Sequence, residues 1–173
     1  MKRREAIQNA AVTAVGLIAL PAWAKGWALQ TLPKTPSIFP LLEQNTLSAV
    51  IEAIIPESDT LGAKSVGVPE FIDKMLADCY EKEVLDNVMK GLAFIENTAI
   101  SNYNKSFPAL ALSERQAILL SIDNGTDKSL KDFYTLIKNL TIQGYTTSEY
   151  VQINFLEYNM TPGFYNGCVP VNS

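Results

Sequence analysis

Two apolar stripes at helical spacing stand out between Leu47 and Tyr80, where the chain reads LSAVIEAIIPESDTLGAKSVGVPEFIDKMLADCY. Leu47, Val50, Ile51, Ile54 and Ile55 recur every third and fourth residue, which puts them on one face of a helix. Asn45 or Thr46 is placed to cap its start. Pro56 ends it, because the residue before a proline is pushed out of the α region. A polar loop with two glycines follows, and Pro69 then sits where a first helical turn tolerates proline. Phe71, Ile72, Met75, Leu76, Cys79 and Tyr80 form the second stripe. Two such helices must bury their faces against each other or against later elements.

The same period returns further on. Val84, Leu85, Val88, Leu92, Ile95 and Ala99 predict a helix reaching toward Tyr103, with Glu81-Lys82-Glu83 as a break from the one before. Ser113 to Gln116 has the form of a capping box ahead of the run Ala117 to Leu120, and Gly125 offers that helix a left-handed stop. Asp127 can cap a helix carrying Leu130, Phe133, Tyr134, Leu136, Ile137 and Leu140, which Gly144 would close. Thr146 and Glu149 suggest another box before a helix over 150–158. From Asn159 the pattern is irregular, and no run alternates with period two for long. The expected fold is therefore all-α: a bundle of about five to six helices over residues 42–173, an extended arm over 25–41 and an irregular C-terminal tail.

The first residues belong to a different category. Lys2, Arg3 and Arg4 precede an apolar run from Ala10 to Leu20, shorter than the roughly 20 residues a membrane span needs. Ala22-Trp23-Ala24 has the small-x-small form of a signal-peptidase site, so residues 1–24 read as an export signal. The alternative is an uncleaved interfacial helix. The arginine pair points to a twin-arginine signal, a route that exports folded proteins. Ala6 and Gln8 depart from the usual surroundings of such a pair, which leaves ordinary export of an unfolded chain as the other route.

Composition narrows the function classes. The net charge of −4 becomes more negative once the signal is set aside, which argues against a nucleic-acid partner. Histidine is absent, removing the commonest general base, transition-metal ligand and haem ligand. The two cysteines, Cys79 and Cys168, are too few for a metal site or a disulfide scaffold. Cys79 lies on an apolar helix face, where a buried small hydrophobe is expected. Cys168 could pair with Cys79 or with another subunit in an oxidising compartment.

Few residues suggest catalysis. The loop Gly62-Ala63-Lys64-Ser65-Val66-Gly67 lacks the spacing of a P-loop and follows a helix rather than a strand. It reads as a connection that needs glycine dihedrals. Glu57 and Asp59 could form an acid pair for a small hydrolase, although acids in an exposed loop are usually just solvated. The arm's Trp27, Leu29, Leu32, Ile38 and Phe39 are apolar for a linker, so they pack either on their own domain or on a partner.

Several pieces in order carry a resemblance. They are the arginine pair, the helix ending Ile54-Ile55-Pro56-Glu57-x-Asp59, Gly62-Ala63, and the helix start Val68-Pro69-Glu70-Phe71-Ile72-Asp73. Gly144-Tyr145-Thr146-Thr147 and Pro162-Gly163-Phe164-Tyr165-x-Gly167-Cys168 complete the set. From Leu42 to Pro170 the chain resembles the gluconate 2-dehydrogenase subunit 3 family, small subunits of membrane-bound sugar and polyol dehydrogenases.

That resemblance implies a non-catalytic escort with no cofactor of its own. It would carry the export signal for a large FAD-dependent flavoprotein of the glucose–methanol–choline type, and many such complexes add a cytochrome c subunit. Arg3 and Arg4 would meet the twin-arginine translocase, and the complex would work in the periplasm, associated with the membrane through its partners. Cys168 would be the candidate for a covalent link to the large subunit. Leu29, Leu32, Ile38, Phe39, Phe164 and Tyr165 are the interface candidates, since they lie outside the periodic helices. A free-standing periplasmic helical protein, for binding or structure, is the alternative.

Overall fold

Why each stripe forms a helix, and what each helix is pressed against, is visible in a computed structural model that describes residues 37–159 and Gly163. The chain divides into two units after Pro36, and the described residues all belong to the second. They form six α-helices, a 3₁₀ turn and no strand. The helices are α1 (Leu41–Ile54), α2 (Val68–Cys79), α3 (Lys82–Tyr103), α4 (Leu112–Asp123), α5 (Lys128–Thr146) and α6 (Glu149–Asn154), with the 3₁₀ turn at Phe107–Ala109. The all-α expectation holds.

Helices α1 and α5 touch each other, and each also touches α2, α3 and α4. The core is therefore one cluster running from Phe39 to Leu140. On α1, Leu47, Val50 and Ile51 are buried as the stripe predicts, with Ile54 and Ile55 half-buried at its end. Full burial of side chains of this size stabilises by roughly 1.5–3 kcal/mol each. The helix starts earlier than Asn45 or Thr46, however. Pro40 stands at its cap, and the Pro40 carbonyl accepts from the amide of Gln44 at 3.0 Å. Thr46 cannot cap because its hydroxyl points into the core, donating to the Leu42 carbonyl at 3.1 Å and to the Glu96 carboxylate at 3.3 Å.

The second stripe makes α2, with Pro69 in its first turn and Val68, Ile72 and Leu76 buried. It is entered through Gly67 at φ +85°, a conformation that side-chain-bearing residues rarely adopt. Cys79 is exposed, contrary to the buried position expected of it. The helix stops at Cys79 and Tyr80 turns extended, and of these two only Tyr80 packs, half-buried, against the core. The break before α3 falls at Tyr80 and Glu81, as the charged cluster suggests, and α3 ends on Asn104 in the left-handed region.

Several end signals fall elsewhere than expected. Helix α4 begins at Leu112, because Glu114 reaches back to accept the Ala111 amide at 2.9 Å. Ser113 is therefore inside the helix. Gly125 is not left-handed. Its amide donates to the Ile122 carbonyl at 3.1 Å, and Asn124 keeps right-handed angles. Gly144 does not close α5 but lies inside it, buried against Phe71 and Val68 of α2, and the helix runs on to Thr146. Asp127 does cap α5, accepting from the amides of Ser129 at 2.8 Å and Leu130 at 3.3 Å. Ser148, rather than Thr146, caps α6, which ends at Asn154 instead of reaching Tyr158.

Candidate functional site

The glycine loop between α1 and α2 has little left to offer a phosphate. Most of its amides are already bonded: Ala63 to the Ile55 carbonyl, Ser65 and Val66 to Gly62, Gly67 to Lys64 and Val68 to Ala63, all within 3.3 Å. An anion site at a loop or helix start needs such amides free. Glu57 and Asp59 are both exposed, and Glu57 accepts the Ser65 hydroxyl at 2.8 Å, which ties the loop across itself. The loop is also held to the far end of α5 and to the start of α6. The Tyr145 hydroxyl donates to the Leu61 carbonyl at 3.0 Å, and the Tyr150 hydroxyl accepts the Leu61 amide at 3.4 Å. These contacts account for the loop as a strut between helices.

Two surface clefts carry mixed polar linings. One, of about 320 Å³, lies along the outer face of α1 and is lined by Leu42, Asn45, Ser48, Glu52, Lys64, Ser106 and Pro108 among others. The other, of about 790 Å³, lies where the starts of α3 and α5 meet. There Glu83, Asp86 and Asp132 alternate with Lys90 and Lys128, while Asn87 and Ser129 bond each other twice across the helix pair. Among the described residues no group of three or more acidic or cysteine side chains is gathered as for a metal ion.

Glu52, at the rim of the first cleft, is spoken for. It pairs with Arg115 of α4 at 2.9 Å, and Arg115 also donates to the Ala49 carbonyl at 3.3 Å. The Arg115 hydrogen bond holds the Glu52 carboxyl below its ordinary value of 4.5, burial opposes this, and the Arg115 and Lys64 charges add to the lowering. A carboxylate depressed by folding stabilises above its unfolded pKa and loses that stabilisation as pH falls through its folded one. The stability difference between wild type and Glu52→Gln should therefore be present at pH 7 and shrink below about pH 4.5 in urea titrations. A difference unchanged down to pH 3 would remove this pairing from the acid response.

The remaining surface feature is apolar. Ile38, Leu41 and Leu42 are exposed where the chain enters α1. At the other end, Ile153, Phe155, Leu156 and Tyr158 are each more than half exposed. Of the interface candidates, Ile38 is 43% exposed and free to meet a partner, whereas Phe39 is 4% exposed and sits in the domain's own core. Ser37 and Ile38 are tied to Asp73 of α2, which accepts the Ser37 hydroxyl at 2.9 Å and the Ile38 amide at 3.3 Å. Arg3, Arg4, Ala22, Ala24, Leu29, Leu32, Phe164, Tyr165 and Cys168 lie outside the described residues.

The model of the family described as gluconate 2-dehydrogenase subunit 3 matches residues 42–163. The chain belongs to that family. Its match starts at the second residue of α1, takes in the other five helices and continues past the hook residues after α6. No curated protein and no solved structure matches the chain. A subunit 3 chain is by its family a component of a dehydrogenase complex. No helix among the described residues is long and apolar enough to cross a membrane.

Residues 153–158 were missed as a surface in the sequence because they read as the continuation of a helix. The signal that could have found them is the composition Ile-Asn-Phe-Leu-Glu-Tyr, with apolar residues on all sides of a helix too short to bury them.

Proposed function

We propose that this chain is the non-catalytic small subunit of an FAD-dependent sugar or polyol dehydrogenase, which it escorts to the periplasm and stabilises there. The observation that carries this reading is membership of the gluconate 2-dehydrogenase subunit 3 family over residues 42–163. The described helical domain offers a continuous core and apolar exposed ends, a surface suited to holding another folded protein. FAD and the oxidation of the sugar or polyol belong to the large subunit, of the glucose–methanol–choline type, and a cytochrome c subunit takes the electrons onward.

In this reading Arg3 and Arg4 address the pair to the twin-arginine translocase, cleavage follows Ala24, and the flavoprotein travels already folded. Leu29, Leu32, Ile38, Phe164 and Tyr165 contribute to the contact with the large subunit, and Cys168 is the candidate for a covalent link to it. An obligate contact of this kind buries upward of about 2,000 Å². Changing Arg3 and Arg4 together to lysine should trap the FAD-dependent activity in the cytoplasm of cells that make both chains. Activity that still reaches the periplasm would sink the escort role. A small chain that, once purified alone, carries flavin or turns over substrate would sink the non-catalytic one.

A further inference from the structure

The residues that follow α6 are held in a fixed shape that the domain itself does not use. The Phe155 and Leu156 amides both donate to the Val151 carbonyl, at 3.0 and 3.3 Å, and the Tyr158 amide donates to the Gln152 carbonyl at 2.9 Å. Glu157 takes a left-handed φ of 49°, which turns the chain back along the helix. The result is a hook. Of its apolar side chains, Ile153 and Phe155 are each 56% exposed, Leu156 60% and Tyr158 59%, and none of the four is in the core cluster. Phe155 meets the Tyr150 ring edge-on at 5.8 Å, which steadies the hook without covering it. A left-handed glutamate is an unfavourable way to finish a helix if the only outcome is to turn apolar side chains into water.

The chain around the hook has the same character. From Ile153 to Ser173, Glu157 is the one charged side chain, and Phe164 and Tyr165 lie within that run. A Cβ built at Gly163 would meet nothing within 4 Å. A stretch rich in aromatic and aliphatic residues and nearly free of charge has the composition of an interface centre and not of a solvated tail.

We infer that the hook at 153–158 docks into an apolar groove on the catalytic subunit of the dehydrogenase complex. This rests on the subunit role proposed above and names the surface that performs it. The mixed-charge cleft between α3 and α5 is a solvated face by comparison, with acids and lysines interleaved. The family match reaches Gly163, so the hook is part of the domain that defines subunit 3 and not an appendage to it.

The test is co-expression of the full chain with an affinity-tagged FAD-dependent subunit, reading small chain recovered per flavin. Ile153→Asp with Leu156→Asp should lower recovery about tenfold or more. Leu120→Asp, on an equally exposed residue of α4, should leave it within about twofold. If the aspartate pair fails to accumulate, Ile153→Asn with Leu156→Asn carries the same comparison, and helix content by circular dichroism shows that the domain is intact. Wild-type recovery from the hook variants overturns the inference, as does recovery that rises when the chain is stopped after Asn159, which would make the tail a cover for the hook. The same holds if the variants split a dimer of the small chain while flavin recovery stays unchanged. Should the wild-type chain recover no flavoprotein, the subunit role itself fails and the hook assignment with it.

Discussion

Gly91→Ala destabilises the domain by about 1–3 kcal/mol, and Gly91→Val abolishes its cooperative unfolding transition. Helix propensity alone argues the opposite, since alanine in a helix interior is favoured over glycine by about 1 kcal/mol. The sign is decided by what stands opposite. A Cβ on Gly91 of α3 would lie 2.4, 2.5 and 2.7 Å from the Cγ, Cδ1 and Cδ2 atoms of Phe133 on α5. Phe133 is 1% exposed, so the ring has no free volume into which to retreat, and the two helices must part instead. Urea denaturation of the full chain measures the effect. Phe133→Leu should cost stability in the wild type and recover part of it in Gly91→Ala, a coupling read from the double-mutant cycle. A Gly91→Ala protein as stable as wild type would show that the close approach of α3 and α5 is not tight.

The second large effect is expected at Glu96, which is 9% exposed and sits where α1, α3 and the 3₁₀ turn meet. Its Oε2 atom accepts both the Thr46 hydroxyl at 3.3 Å and the Phe107 amide at 3.1 Å. Glu96→Ala removes the acceptor and leaves the Phe107 amide buried without a partner. That loss and the cavity left behind together come to roughly 2–4 kcal/mol. Glu96→Gln keeps a carbonyl oxygen of the same reach and should cost less than half as much. Thr46→Val, which removes a donor that also bonds the Leu42 carbonyl, should fall between the two in its effect on Glu96. Hydrogen exchange adds a site-specific readout, because the Phe107 amide should exchange faster in Glu96→Ala than the α5 amides do. Equal protection in variant and wild type would mean that another group holds that amide.

Both predictions concern the rigidity of the frame that carries the exposed ends. The hook is anchored through Val151, buried at 9% exposure, and through Tyr145 and Tyr150 to the loop at Leu61. Loosening α3 against α5 would therefore loosen the platform on which the hook stands. An interface presented by a poorly ordered element gives up affinity to the entropy of ordering it. Gly91→Ala should consequently weaken recovery of the catalytic subunit less than the hook substitutions do, but in the same direction.

Period and composition carried most of the architecture. The stripes at Leu47–Ile51, Ile72–Leu76, Val88–Ala99 and Phe133–Leu140 became the buried faces of α1, α2, α3 and α5, because spacing of three and four can face a core only as a helix. The break at Glu81-Lys82-Glu83, the first-turn Pro69 and the Asp127 cap were also legible, since each acts through its own backbone neighbours. Order along the chain was enough to place it in its family, which the match over residues 42–163 supports. Helix ends depart from the sequence pattern where the signalling residue meets a tertiary or backbone partner instead. Thr46 was drawn to Glu96, Glu114 to the Ala111 amide, and Gly144 was enclosed by Phe71.

What the sequence determined by itself was the set of helices, their apolar faces and the family, because these follow from local periodicity and from the order of short motifs. Only the tertiary structure decided that Phe39 belongs to the core while Ile38 does not, and that Cys79 lies in the open. It likewise decided that most of the glycine loop's amides are already taken and that residues 153–158 form an exposed apolar hook. Burial and hydrogen-bond occupancy are set by neighbours distant along the chain, and no pattern read within one segment contains them.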